Sequence, residues 1–349
     1  MSRANLQFEG VVRQVVDRLA ASEKILLITH QHPDADALGS TLALTHALRA
    51  LKKNVHAVCV DEVPAPFRFL PGIEQFGRDC ILGNFDSIVI VDCGDIKRTG
   101  LSGRIKEFAR FKSRIINIDH HQKNDLHKLA KINYVDYQAS SAAELTKPLV
   151  EGLGVKIDMP IATCLLAGLY GDTGGFRHSN TTVKVLEQAA DLMLSGARLK
   201  KISENIANYK TVPTLKLWGL ALSRINYHQE LGLVTSVITQ EDFVRCDACQ
   251  EDLAGCVNLI NCVPEARATI LLYEQEDNVI KGSVRTEKNS VDAGALAKVF
   301  GGGGIKKAAG FSFSGQIIED SGSWRIKSLE VKLKLELVAG FKRSKLVEA

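Results

Sequence analysis

Three short segments place imidazole and carboxylate groups at the ends of apolar runs. His30-Gln31-His32-Pro33-Asp34-Ala35-Asp36 follows Ile25–Ile28, Asp92 ends Ile88-Val89-Ile90-Val91, and Asp119-His120-His121 closes a run that begins at Arg114. Further on, Asp172 opens Asp172-Thr173-Gly174-Gly175-Phe176. Such groups, delivered where buried strands give out, are what a site for two divalent cations requires. Carboxylates and imidazoles without thiolate suit hard or borderline ions, so Mn2+ or Mg2+ is expected before zinc. Two such ions, roughly 3.5–4 Å apart, can clamp a phosphoryl group and make water nucleophilic near neutral pH. They also stabilise the charge of an in-line displacement, which is the main demand of phosphate ester hydrolysis.

The elements that must position these groups can be read from periodicity. A helix over about 6–21 leads to a strand at 24–29, then a helix at 37–52 with Leu44, Leu48 and Leu51 at helical spacing. Strands near 54–60, 87–92 and 114–119 are rich in Val and Ile, as in a parallel sheet covered on both faces. If these runs are neighbours, the groups after them open into one crevice beyond the carboxyl ends of the strands. From about 139 to 208 the pattern is helical. Thr181 or Thr182 can cap a helix whose Leu186, Ala189, Ala190 and Met193 recur at i, i+3, i+4 and i+7. After about 210 the register changes: a helix at 212–225 is followed by strands at 231–239, 267–275, 278–286 and near 324–337, with helical segments at 250–261 and 292–299. The expected fold class is therefore α/β. A parallel-sheet domain with flanking helices (1–208) and a helical connector (209–226) precede a smaller α+β domain (227–349).

Composition fits this. A chain of 349 residues that is 45% hydrophobic and 24% charged is ordinary for a globular protein of two domains. A net charge of +4 neither announces a nucleic-acid coat nor repels an anionic substrate. Charged residues interrupt every apolar stretch of residues 1–24, and no run approaches a membrane span, so a cytoplasmic protein without membrane association is expected. Eight cysteines are then read as free thiols. Cys246, Cys249, Cys256 and Cys262 run C-x2-C-x6-C-x5-C, which lacks the paired short steps of a zinc ribbon.

Together, His30-x3-Asp34-x-Asp36, Asp92, Asp119-His120-His121 and Asp172-Thr-Gly resemble the four motifs of the DHH phosphoesterase family. Gly301-Gly302-Gly303-Gly304 followed by Ala308-Ala309-Gly310 resembles the substrate loop of its associated C-terminal domain, so the likeness runs from about 20 to 315. The resemblance implies that His30, Asp34 and Asp92 hold one cation, and that Asp36, Asp92, His120 and Asp172 hold the other, with Asp92 bridging. His121 would face the scissile phosphate and Asp119 would orient its histidine neighbour. Arg285 and the loop Gly301, Gly302, Gly303 and Gly304 would grip the far end of the substrate as the second domain closes over it. A phosphate there would suit the amides of a glycine loop running into a helix start and the fork of Arg285. One departure is plain: the family loop reads Gly-Gly-Gly-His, and Ile305 stands in the histidine position, where it can neither donate a hydrogen bond nor carry charge. Lys306 and Lys307 can supply positive charge instead.

Other residues have blander readings. His32 is a solvated loop residue, and His46, His56 and His127 lie on surfaces or helix faces. Arg177 is a better candidate than His178 for touching substrate. Cys93 and Trp218 pack in cores, and Lys342 to Lys345 form a solvated end. The expectation is thus a phosphoesterase using two Mn2+ or Mg2+ ions. Its substrates would be very short RNA or small nucleotides such as 3′-phosphoadenosine 5′-phosphate and linear di-adenosine phosphates. A manganese inorganic pyrophosphatase and a nucleotide-binding regulator are the rival readings. A homodimer is compatible with the sequence.

Overall fold

A computed structural model describes residues 3–108, 114–121, 125–320 and 323–327. The chain divides into two compact units, Met1–Tyr209 and Lys210–Ala349.

In the first unit the elements run α1 (Arg3–Ala20), β1 (Lys24–Ile28), α2 (Ala35–Ala50), β2 (Asn54–Val58), β3 (Phe76–Gly77), β4 (Ser87–Val91), α3 (Ser102–Phe108), β5 (Ile115–Asp119), β6 (Ile132–Val135), α4 (Ala142–Gly152), α5 (Met159–Asp172), α6 (Val183–Leu194) and α7 (Leu199–Ile206). The strands form one parallel sheet in the order β3-β2-β1-β4-β5-β6. Ile88–Val91 and Ile115–Ile118 alternate between two cores. Val89, Val91, Ile116 and Ile118 face one, and Ile88, Ile90 and Ile115 the other, so both faces of these strands are buried, with Asn117 the polar exception in β5. α2 is buried nearly all round, with Leu38, Leu42 and Ala43 in one core and Leu44 and Leu48 in another.

α6 turns out rotated from expectation. Thr182 caps it, but its core face is Val185, Ala189 and Leu192, while Leu186 and Met193 are 49% and 41% exposed. Two apolar stripes are interleaved on this helix, and periodicity alone cannot tell which one finds a partner.

The second unit holds α8 (Val212–Ser223), β7 (Asn226–His228), β8 (Leu233–Ile238), α9 (Gln240–Cys246), α10 (Cys256–Ile260), β9 (Ala268–Gln275), β10 (Val279–Arg285), α11 (Ala293–Val299), β11 (Gly303–Gly304), β12 (Ala308–Ser314), β13 (Gln316–Asp320) and β14 (Ser323–Lys327). Its main sheet has the mixed order β11-β12-β10-β9-β8-β7. α8 contributes Leu217 and Ala221 to the core of this unit, and Trp218 donates its indole N–H to Asp252 O. The expected final strand is described only to Lys327, and Lys342 to Lys345 lie outside the described residues.

Candidate metal centre

Three adjacent parallel strands deliver the site. His30 follows β1, Asp92 follows β4, and Asp119-His120-His121 closes β5. The ends are stitched together: Thr29 Oγ1 donates to Val91 O at 3.1 Å, and the Asp92 amide donates to Ile118 O at 2.9 Å. Asp92 then turns with φ 59, a left-handed backbone that aspartate tolerates better than most residues. This turn leaves the Asp92 carboxylate among the imidazoles.

Asp34 and Asp36 leave the loop and join a helix. Asp34 is the N-cap of α2, its Oδ1 accepting from the Asp36 and Ala37 amides, both at 3.0 Å. Asp36, fully buried, lies in the first turn, and its carboxylate accepts from the Ala142 and Ala143 amides at 2.5 and 2.8 Å. Those amides are the open N-terminus of α4, a natural seat for an anion. Asp172 is the last residue of α5, not the first of a loop. α5 can approach because Gly168 has no side chain: a Cβ there would sit 2.6 Å from Asp36 Oδ1 and 2.7 Å from Ala143 Cβ.

The result is a close-packed set of donors. His30 Nε2 lies 3.6 Å from Asp92 Oδ2 and 3.7 Å from Asp34 Oδ2. His120 Nε2 lies 3.2 Å from Asp172 Oδ2, 3.3 Å from Asp92 Oδ1 and 3.9 Å from Asp36 Oδ2. Among the described residues, His30-Asp34-Asp92, Asp36-His120-Asp172 and Asp92-His120-His121 each offer three ligand atoms within 4.8 Å of one another. His30 Nε2, His120 Nε2 and Asp92 Oδ1 are buried without hydrogen-bond partners. Buried polar atoms are rarely left so, and nitrogen and carboxylate donors aimed at a common point fit a divalent cation.

Electrostatics agree. Desolvation at the crowded site, then Asp92 and Asp172, push the half-exposed Asp34 carboxyl up to about 6, and burial with the same two charges raises Asp36 well above its usual range. Burial opposes protonation of His120, yet Asp172 and Asp92 push it up to about 12. Burial likewise disfavours the charge of His30, but Asp92 and Asp34 raise its pKa. Asp92 is held low: burial works against its charge, and the close approach of the His120 and His30 imidazoles outweighs it. Without cations, crowded carboxylates are relieved by protons on their neighbours.

His121 stands apart. Its Nδ1 is 3.5 Å from Asp92 Oδ1 but 2.7 Å from Asp119 Oδ1. Asp119 is fully buried and also accepts from the amides of His120, His121 and Gly94. With Nδ1 engaged by Asp119, Nε2 is the ring nitrogen left for anything outside. Gly94 was not singled out in the sequence, nor were the Ala142 and Ala143 amides. The signal for the latter was present: Ser141-x-x-Glu144 is a helix-start pattern, and Ser141 does cap α4. Arg177 is exposed on the turn after Asp172, its Nε donating to Gly174 O. His32 is exposed, as expected, and its amide donates to Asp61.

In the second unit Arg285 pairs with Ala308 across β10 and β12, and Gly304 with Ala309 across β11 and β12. Arg285 donates to Asn258 Oδ1 and Val284 O. The glycine loop leaves the end of a helix, contrary to the expected helix start. The amides of Gly301 and Gly302 donate back to Lys298 O and Ala297 O, the hydrogen-bond pattern of a helix C-cap, and Gly301 has φ 78. Those two amides are therefore spent on α11. Gly302 is required for another reason: a Cβ would lie 2.2 Å from Gly310 O. Ile305 is 58% exposed in the following turn, and Lys306 is exposed. Lys307 is tied by its Nζ to Glu287 O and Asn289 Oδ1.

Comparison with known proteins places this geometry. The DHH family N-terminal domain matches residues 24–169. A bifunctional oligoribonuclease and PAP phosphatase, NrnA, of Thermus thermophilus is 32% identical over 306 residues, covering 87% of this chain and 89% of that one. The Bacillus subtilis protein of the same name is 25% identical, covering 86% and 92%. An exopolyphosphatase-related protein of Bacteroides fragilis superposes with a TM-score of 0.80 at 23% identity, covering 96% and 97%. The exonuclease RecJ bound to manganese has a TM-score of 0.51 at 15% identity, covering 95% and 94%. No described helix is long and apolar enough to cross a membrane.

Proposed function

Since the chain belongs to the DHH family and is a metal-dependent phosphoesterase, we propose that it hydrolyses very short oligoribonucleotides from an end and dephosphorylates 3′-phosphoadenosine 5′-phosphate. The substrate class rests on the two relatives named for those activities, which match nearly the whole chain. The observation that carries the site is the set of orphaned buried donors, His30 Nε2, His120 Nε2 and Asp92 Oδ1, among the carboxylates of Asp34, Asp36 and Asp172.

In this reading His30, Asp34 and Asp92 hold one cation, and Asp36, Asp92, His120 and Asp172 the other, with Mn2+ favoured. When bound, such ions neutralise phosphoryl charge and make water nucleophilic near neutral pH. Asp119 accepts from His121 Nδ1–H and so fixes the ring, leaving Nε2 to face a non-bridging phosphate oxygen, to which it donates in the imidazolium form. Asp34 and Asp36 have their remaining lone pairs aimed by the cap of α2 and the N-terminus of α4. Arg177, Arg285, Lys306 and the segment Gly303-Gly304-Ile305 are the candidates for substrate contact. Gly301 and Gly302 shape that segment, since their amides are already bonded. Ile305 shifts the preference away from a terminal phosphate and toward an end that presents a base or sugar.

The test is a substrate panel with Mn2+: RNA of two to five nucleotides, 3′-phosphoadenosine 5′-phosphate, linear di-adenosine phosphates and pyrophosphate. Release of nucleotides from short RNA supports the reading. Phosphate from pyrophosphate alone replaces it with a pyrophosphatase, and binding without turnover replaces it with a regulator. On the same panel Ile305→His should raise kcat/KM for phosphate-terminated substrates relative to the rest; an unchanged ranking would remove the role of Ile305.

A further inference from the structure

One half-buried side chain joins the two halves of the Asp36-His120-Asp172 group without belonging to it. Asn180 Nδ2 donates to Asp172 O and to Ser140 O, both at 3.2 Å. The first carbonyl belongs to the carboxylate residue at the end of α5. The second sits one residue before Ser141, the cap of the helix whose Ala142 and Ala143 amides grip Asp36. Both partners are acceptors, so the amide orientation is fixed, with Nδ2 inward. Asn180 Oδ1 is buried without a partner, so the donor side is what holds this residue in place. The turn that carries it is wound tightly: the Arg177 and His178 amides both donate to Thr173 O, and Phe176 N donates to Thr173 Oγ1. That winding brings Asn180 back beneath the carbonyl of Asp172. His178 Nδ1 approaches the same carbonyl at 3.3 Å, but it is exposed.

We propose that Asn180 is a positioning residue that sets the separation of Asp172 and Asp36, and so tunes the affinity and geometry of the cation subsite around His120. The proposal rests on the two-cation reading above. Outer contacts of this kind typically change metal affinity or activity by about 10- to 100-fold. A purely structural role, anchoring the start of α6, makes a different prediction. α6 has a second tie to α4 in the ion pair of Lys184 with Glu144 at 2.9 Å, so loss of Asn180 leaves the helix attached.

The experiment is Mn2+ titration of the full chain, stripped of metal, by calorimetry and by electron paramagnetic resonance. Parent protein, Asn180→Asp and Asn180→Ala are compared, with Tm measured for each. Asn180→Asp keeps the shape and turns the donor into an acceptor facing two carbonyls. Asn180→Ala removes the donor without adding charge, and it is read in the same way if the first variant does not fold. The expected result is two equivalents in the parent. In the variants one of the two dissociation constants rises by about 10- to 100-fold, the spin-coupled signal weakens, and activity recovers at high Mn2+. Two unchanged constants, or two that rise equally alongside a lower Tm, overturn the role of Asn180. A parent that binds fewer than two equivalents overturns the two-cation reading and this inference with it.

Discussion

Replacing Asp92 with asparagine removes one negative charge from the middle of the site and almost nothing else. The residue is 1% exposed, and asparagine has the same outline. Its backbone sits at φ 59, a conformation that asparagine also tolerates, so no new strain is expected. The carboxylate oxygens lie 3.3 Å from His120 Nε2 and 3.6 Å from His30 Nε2, one toward each proposed subsite. A unit charge at about 4 Å and an effective dielectric near 20 contributes about 4 kcal/mol per charge on its partner. On a doubly charged ion this comes to about 8 kcal/mol, of which the remaining amide oxygen recovers about half or somewhat more. Each cation should therefore bind about 100- to 1000-fold more weakly, at 1.4 kcal/mol per factor of ten. Calorimetric Mn2+ titration of dialysed protein reads both constants, and kcat/KM should fall with them. Two ions bound at parental affinity would refute the argument. Weakening of one alone would show that Asp92 serves a single cation. The metal-free protein supplies a second check. Asp92 has a depressed pKa, so its charge stabilises the fold above its unfolded value, about 3.9, and that contribution is lost as the pH falls. The Tm deficit of Asp92→Asn in EDTA should be present at pH 7 and shrink below about pH 4.

Three further outcomes follow from other parts of the molecule. His121→Ala should retain two Mn2+ equivalents while kcat falls by about 100- to 1000-fold, the usual loss for one donor to a developing charge; a stoichiometry of one would make His121 a ligand. Raised pKa values at His120, His30, Asp34 and Asp36 mean that cations displace protons. Histidines with raised pKa stabilise the metal-free fold below about pH 6.5 and lose that contribution as pH rises, and carboxyls with raised pKa become costly as they ionise. Mn2+ affinity and the Tm gained from Mn2+ should both be greater at pH 8.5 than at pH 5.5, with proton release seen as a buffer-dependent binding enthalpy; equal gains at both pH values would count against the assignment. Gly302→Ala should cost the second unit about 1–3 kcal/mol through overpacking against Gly310 O. Both tryptophans of the chain, Trp218 and Trp324, lie in that unit, so fluorescence-detected urea unfolding reports on it directly; an unchanged midpoint would mean the loop yields.

Much of the first unit was legible because its strands are buried on both faces. Ile25–Ile28 and Ile88–Val91 are apolar without alternation, and Ile115–Ile118 is broken only by Asn117, so the ligand-type residue that follows each run stands out against that background. The order of the strands was not legible, since register depends on which cores meet. Short pairings such as Phe76–Gly77 and Gly303–Gly304 carry no periodicity at all. β12, Ala308–Ser314, was missed because glycine and alanine lead into its Phe311 and Phe313. α9 was missed although Thr239-x-x-Asp242 forms a capping box, because seven residues are too few to show a stripe. The face of α6 was misassigned because tertiary partners, not composition, choose between its two apolar rows. The ligand-type residues could be picked out from their chemistry. The amides that hold Asp36 and Asp119 could not, because every residue has an amide and only folding decides which are used.

His30, Asp92 and the Asp119-His120-His121 segment hang from three neighbouring strands of one sheet. The spacing of such strands is nearly invariant, at about 4.8 Å, so the lateral pitch of these anchors behaves as a lattice constant. Accommodating an ion of different radius then falls to the groups outside that lattice, Asp34 on its helix cap and Asp172 at a helix end. Selection among divalent ions would accordingly act on turns and helix termini, leaving the sheet a fixed ruler against which they are adjusted.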